Sequence, residues 1–250
     1  MLTLPLLAGC KKEEEKPDEQ TCLLSEVKIS HQNRSRQYFY NENGRLEKTQ
    51  DIYNGLHDIY SLYQYDAANR LIQIDTYEKD NSRRFYLQYF YKPDGRLEKI
   101  INSRFGFPDI TTFEYNAQGQ IVKETVKYSS GELKEYANFT YAANRMKVAV
   151  FNEMDMPRGT MEYFFDEKKN PLAEMGVVAA GHYNIDQNYI DFVPMEHNVI
   201  KYIETEFNGD TSGVSYTAFL SFNEKGDATY KSIDYRYSGG TSVAYQYDCK

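Results

Sequence analysis

The sequence predicts an all-β protein: an antiparallel meander of about eight repeated hairpins, strongly curved into a barrel-like or coiled form, with one irregular insertion. Three observations predict it. The segment "YQYDAANRLIQI" at 63–74 returns in outline as "YFYNENGRLEKT" from Tyr38, "YFYKPDGRLEKI" from Tyr89 and "FEYNAQGQIVKE" from Phe113. Its anchor aromatics, Tyr40, Tyr65, Tyr91, Tyr115, Tyr141, Phe165, Phe222 and Tyr247, mostly recur at a spacing of about 25 residues, as in stacked supersecondary units. With 24 Tyr and 14 Phe among 250 residues and no Trp, the composition suits pleated, half-buried surfaces.

Each unit reads as a hairpin. Two residues before the anchors stand Tyr38, Tyr63, Tyr89, Phe113, Phe139, Tyr163, Leu220 and Tyr245, all aromatic except Leu220. A spacing of two is the period of a strand, so both aromatics of a pair face one side of a sheet. The turn formers "NENG", "DAAN", "KPDG" and "NAQG" follow, placing Gly44, Asn69, Gly95 and Gly119 where a positive φ is needed. A return strand then opens at Leu46, Leu71, Leu97 and Ile121. Half a period later come further turn signals: Asn54-Gly55, then 79–82, 106–109, 129–131 and 156–159. Two alternating turn sets describe an up-and-down meander and not a crossover fold. Such a sheet must cover its aromatic face by curling or by packing on itself, and each aromatic buried there contributes about 2–3 kcal/mol. Most tyrosines are therefore structural.

The regular spacing breaks between Phe165 and Phe222. This stretch reads as a degenerate unit with extra loop, in which Ile190 and Phe192 serve as the aromatic-type pair and "HNVIKYIE" from His197 as the return strand. Residues 173–189 fit no unit and suit a short helix or a lid-like loop. No second domain is implied, so residues 22–250 are expected to form a single β domain.

The chain ends carry an address. "LTLPLLAGC" is an apolar run with small residues before Cys10, and it resembles a bacterial lipoprotein signal whose lipobox cysteine is acylated. Residues 1–10 are expected to be that signal, truncated at its start because no basic stretch precedes Leu2. Residues 11–21, opening "KKEEEKPDEQ", are too charged to fold and read as a disordered tether. Their Lys-then-acidic start is similar to the export tag of lipoproteins on the outer face of Bacteroidetes-type outer membranes. The expected place is the outer membrane, held by a lipid anchor, with the cell surface favoured over the periplasmic face. Cys22 and Cys249 remain as an even pair; an oxidising envelope would let them join, and two separate buried thiols are the alternative.

The Tyr-anchored units with "YDAANRL" and "NENGRL" resemble the YD repeats of Rhs-type proteins. Lipobox, acidic tether, Cys22, the hairpins, "NPL" at 170–172, "HNVIK" and the terminal "YQYDC" together resemble a Bacteroidetes-type lipoprotein family of unassigned function. The resemblance implies an all-β, repeat-built envelope protein and supplies no catalytic residue.

Charge and motif content narrow the function classes. A net charge of -8 without a Lys/Arg stripe disfavours nucleic acid as a partner. His31, His57, His182 and His197 are scattered without metal-ligand spacing, so no metal and no cofactor are expected. Nucleophile elbows, phosphate loops and dinucleotide motifs are absent from the sequence, which points away from an enzyme, although a carboxylate pair acting on a glycan leaves no sequence signature. The favoured function is an extracellular binding module for a glycan or a partner protein. The alternatives are a structural or assembly component of the outer membrane and a glycan-active enzyme. Binding is expected at the broken repeat, through Tyr183, Tyr189 and Tyr202 beside His182, Glu196 and His197, because aromatic faces next to polar groups suit sugar rings.

Overall fold

The computed structural model describes residues 22–29, 33–103, 107–169, 197–206, 209–211, 215–235 and 239–249. Its strands in chain order are β1 (Cys22–Ile29), β2 (Arg34–Tyr40), β3 (Leu46–Tyr53), β4 (Leu56–Tyr65), β5 (Leu71–Glu78), β6 (Arg83–Tyr91), β7 (Leu97–Asn102) and β8 (Asp109–Tyr115). They continue as β9 (Ile121–Tyr128), β10 (Leu133–Ala142), β11 (Arg145–Asn152), β12 (Pro157–Lys169), β13 (His197–Glu206), β14 (Tyr216–Phe222), β15 (Ala228–Tyr235) and β16 (Gly239–Cys249). All sixteen are antiparallel to their neighbours, and β1 pairs with β16 to close a barrel. The sheet therefore has no free edge to cover or to aggregate through.

The eight anchor pairs from Tyr38/Tyr40 to Tyr245/Tyr247 fall on the even-numbered strands, and the odd-numbered strands are the returns. The strand ladder runs on from one pair to the next, so the hairpins are not separate units but parts of one continuous wall. The return strand of the last aromatic pair, on β16, is β1 from the other end of the chain. Closure thus joins the first and last parts of the repeat.

Turn chemistry explains the register. Gly44, Asn69, Gly95 and Gly119 have φ of 72°, 68°, 86° and 80°, as their positions in the repeat require. In the first of these turns Gly44 N–H donates to Asn41 C=O and Asn41 N–H to Arg45 C=O, which locks the hairpin and leaves a bulge at Tyr40. The turn expected at 156–159 lies earlier. Asn152 accepts from the Met154 and Met156 amides through its side chain, Asp155 takes φ 63°, and Pro157 already opens β12.

The repeat at 165–222 also differs from expectation. β12 pairs directly with β13, so "HNVIKYIE" is the return strand of the Tyr163/Phe165 pair, and the extra residues lie between the two strands of one hairpin. No degenerate unit is needed. Ile190 and Phe192 lie outside the described residues.

The reason for the anchor tyrosine is a hydrogen bond. Tyr40 Oη donates to Leu24 C=O (2.8 Å), Tyr65 to Leu46 (2.9 Å), Tyr91 to Leu71 (2.7 Å), Tyr115 to Leu97 (2.8 Å), Tyr141 to Ile121 (2.9 Å) and Tyr247 to Ala228 (2.8 Å). Each phenol reaches along the wall to the first residues of the adjacent preceding strand, which is β1 in the case of Tyr40. One side chain so satisfies a carbonyl left at a bulged strand start and fixes the stacking of successive units. Phe165 and Phe222 have no hydroxyl to donate, and they flank the stretch where the repeat is broken.

The inner face is mostly apolar, whereas the outer face mixes charged residues with exposed aromatics such as Phe39, Phe90, Phe219 and Tyr230. Inward residues include Val27, Ile74, Ile100, Val126, Val148 and Val243, all strongly buried. The outer face instead carries Lys48 over the Phe39 and Tyr60 rings, Lys99 over Phe90, Lys123 over Tyr136, and Lys201 with Arg145 over Phe164. These cation–π pairs recur at the same step of successive hairpins and suit a face in contact with water. A bilayer-facing wall would bear a cost of about 2–4 kcal/mol for each such lysine near its midplane. No helix among the described residues is long and apolar enough to cross a membrane.

Candidate functional site in the barrel interior

Sixteen strands enclose more space than a single layer of side chains fills. The buried side chains accordingly form three clusters along the wall. One spans β1–β3 and β14–β16, a second β10–β13, and a third β5–β8. Tyr63, Tyr216 and Ile121 each touch two of them, so the clusters meet as a ring between neighbouring strands. Tyr63, Tyr216 and Tyr245 point inward from β4, β14 and β16 yet are only half-buried, which makes them the aromatic lining of the lumen.

Among the polar groups that interrupt this lining, three features stand on β2–β4 and β12–β15. On β2–β4, Arg36 donates from its Nε to Asp51 Oδ1 (2.5 Å) and from a terminal nitrogen to Oδ2 (2.9 Å), a bidentate pair deep in the wall. Thr49 Oγ1 and Tyr63 Oη lie 3.2 Å apart beside it. The Tyr38 hydroxyl is buried there without a hydrogen-bond partner among the described residues. Burial, first of all, raises the Tyr38 pKa, so this phenol stays protonated.

The second feature is an aromatic ladder across β12–β15. Tyr163 to Tyr202, Tyr202 to Tyr216 and Tyr216 to Tyr235 have ring centroids 5.1, 5.6 and 5.9 Å apart, in tilted and edge-on arrangements that aromatic quadrupoles favour. Tyr202 Oη donates to Glu204 Oε2 at 3.2 Å. Burial and then neighbouring phenols and carboxylates, Glu204 among them, raise the pKa of Tyr163 and Tyr202, and Glu124 adds to the effect on Tyr163. The ladder therefore combines ring faces, phenol donors and carboxylate acceptors.

At the rim where β12 ends and β13 begins, Asp166 accepts from the Asn198 backbone N–H (3.2 Å) and from its side-chain amide (3.3 and 3.2 Å). Lys231, from β15, faces the lumen below this group, with its Nζ 5.3 Å from the Tyr216 ring centroid.

The expected site residues separate. Tyr202 is not a free binding aromatic: at 2% exposure it belongs to the inner ladder, because its register partner on β12 is Tyr163. His197 sits at the rim, with Nδ1 3.4 Å from Lys168 C=O. His182, Tyr183, Tyr189, Glu196 and Cys10 lie outside the described residues. Cys22 and Cys249 are register partners at the start of β1 and the end of β16. Arg36, Asp51, Glu204, Tyr216 and Lys231 escaped the sequence reading, though strand alternation offered a signal. Lys231 is two residues before Ile233 in "ATYKSIDY" and so must share its inward face.

No protein-family model matches the chain, and a search of curated proteins finds no relative. Among solved structures, the crystal structure of a porin-like protein from Bacteroides uniformis aligns with a TM-score of 0.60 at 12% identity, covering 90% of this chain and 96% of that one. The crystal structure of TcdB2-TccC3 aligns over 86% of this chain and 14% of that one, with a TM-score of 0.37 at 13% identity. The likeness to the Bacteroides uniformis protein extends over nearly the whole of both chains and is one of fold.

Proposed function

We propose that the chain is an envelope lipoprotein whose barrel binds an extracellular glycan in its lumen. The observation that carries this reading is the inversion of the wall. Half-buried Tyr63, Tyr216 and Tyr245 face inward, next to phenols and carboxylates, while the outer face carries lysines over its aromatic rings. Sugar rings offer apolar C–H faces and hydroxyls together, and such a lining meets both. In this reading residues 1–10 are the signal, 11–21 the tether and 22–250 one domain of the YD-like lipoprotein type, with Cys10 acylated. The lipid, and not the strands, then holds the protein at the outer membrane, on its cell-surface face.

Calorimetric titration of the full-length protein with a panel of neutral and acidic oligosaccharides tests the reading. Saturable binding is expected for at least one class, and Tyr245→Ala should weaken it roughly tenfold, as loss of one aromatic platform does. Thermal unfolding of the variant separates this effect from loss of fold. Absence of saturable binding across the panel contradicts the reading.

A second reading, a partner protein, is favoured by one observation. Tyr53, Leu56, Phe107, Tyr128, Met154 and Met156 are exposed at 43–78% and all lie at the hairpin tips of the rim opposite Cys22. That rim points away from the tether and could meet an envelope protein.

A further inference from the structure

Lys231 is a lumen-facing cation with no ion-pair partner among the described residues. Its register partners are Leu220 on β14 and Val243 on β16, both apolar, and its ammonium stands over the Tyr216 ring. It forms no ion pair or hydrogen bond among the described residues. Among the described residues Asp166 is the carboxylate that acts on it, and that group already accepts three contacts from Asn198. The nearby titratable groups on the neighbouring inner face are the phenols of Tyr216, Tyr235 and Tyr245. Toward the rim, Lys168 adds a second cation, its ammonium over the Phe222 ring. Positive charge beside half-buried aromatic faces is thus a property of this sector of the lumen.

We propose that Lys231 selects an anionic sugar, with the carboxylate of a uronic acid residue against its ammonium and the pyranose ring on Tyr216 and Tyr245. This inference rests on the glycan reading above and specifies its ligand class. A carboxylate supplies the counter-charge that the apolar neighbours lack, and a charge-assisted bond of this kind in a desolvated site outweighs one to a neutral hydroxyl. Burial pushes the Lys231 pKa down to about 8, against the opposing pull of Asp166. The ammonium form that holds the anion is therefore dominant below about 8 and lost above it. Affinity for the acidic sugar should fall as pH rises through this range, while that for a neutral sugar should not.

The test is titration of the full-length protein with oligogalacturonate and with its methyl ester, which keeps the sugar and removes the charge. At pH near 7 the acid should bind about tenfold or more tighter than the ester. Lys231→Gln should erase the difference, Lys231→Arg should retain it, and thermal unfolding of each variant checks the fold. Equal affinity for acid and ester overturns the role of Lys231 and leaves glycan binding standing. If neither form binds, the inference also falls, and the neutral members of the oligosaccharide panel decide the broader reading separately.

Discussion

Replacing Asp51 by alanine is expected to lower the unfolding free energy by about 3–5 kcal/mol, because it removes the carboxylate that pairs bidentately with the Arg36 guanidinium inside the barrel wall. Both side chains are largely sequestered, at 22% and 5% exposure, and Asp51 accepts two hydrogen bonds from Arg36. Arg34, 4.0 Å from the same carboxylate, would lose its counter-charge as well. The double variant Arg36→Met with Asp51→Leu should recover most of the loss, since an apolar pair of similar volume removes both charges from the wall. Tyr38→Phe at the same place is expected to be neutral or to stabilise by about 1 kcal/mol, because its hydroxyl satisfies nothing among the described residues. Tyr91→Phe should instead cost about 1 kcal/mol, the value of its bond to Leu71 C=O. Urea unfolding monitored by far-ultraviolet circular dichroism measures all four. Equal effects of Tyr38→Phe and Tyr91→Phe would contradict the division of tyrosines into bonded anchors and lining residues.

The second large effect concerns the seam of the barrel. Cys22 and Cys249 are directly opposed in the antiparallel pair of β1 and β16. Opposed residues of such a pair have Cα atoms about 4.5–5.5 Å apart, within the range that a disulfide bridges. We propose that they are joined in the envelope. The closed loop would include nearly the whole folded chain, and in the chain-entropy model it stabilises by about 5 kcal/mol. Reduction of the native protein should lower the urea midpoint accordingly, and Cys22→Ser should show the same loss without reductant. Peptide mapping of protein purified from the envelope that finds both thiols free would refute the bond.

Much of the fold was legible because a period-two aromatic pair, a turn of fixed chemistry and a return strand recur with little change. Tyr38 with Tyr40, followed by "NENG" and Leu46, already specifies a hairpin, and repetition specifies the meander. Closure was not legible to the same degree. It depends on β1 meeting β16 across the length of the chain, and β1, "CLLSEVKI", carries no aromatic pair to mark it as the missing return strand. The anchor hydrogen bond was likewise hidden, since its acceptor is a backbone carbonyl and any residue supplies one.

The site was less legible for a different reason. Tyr202 lies outside the aromatic columns of the repeat and so stands out in the sequence as a binding candidate, but β12–β13 pairing places it within an inner ladder. The polar residues of the lumen sit at regular inward positions, where Arg36, Glu204 and Lys231 look like ordinary strand residues until the sheet closes around them. Only closure turns a face into an interior.

The measurement that tests the central claim most directly is the environment of the outer wall in the membrane-bound protein. A nitroxide attached at Lys99→Cys, on the outer face over Phe90, reports whether that face meets water or lipid. With the full-length protein in outer-membrane vesicles, relaxation by a water-soluble nickel chelate and little by oxygen dissolved in the bilayer is expected. Strong relaxation by oxygen with protection from the chelate would contradict it: the strands themselves would then span the membrane, and the lumen would be a pore and not a binding chamber.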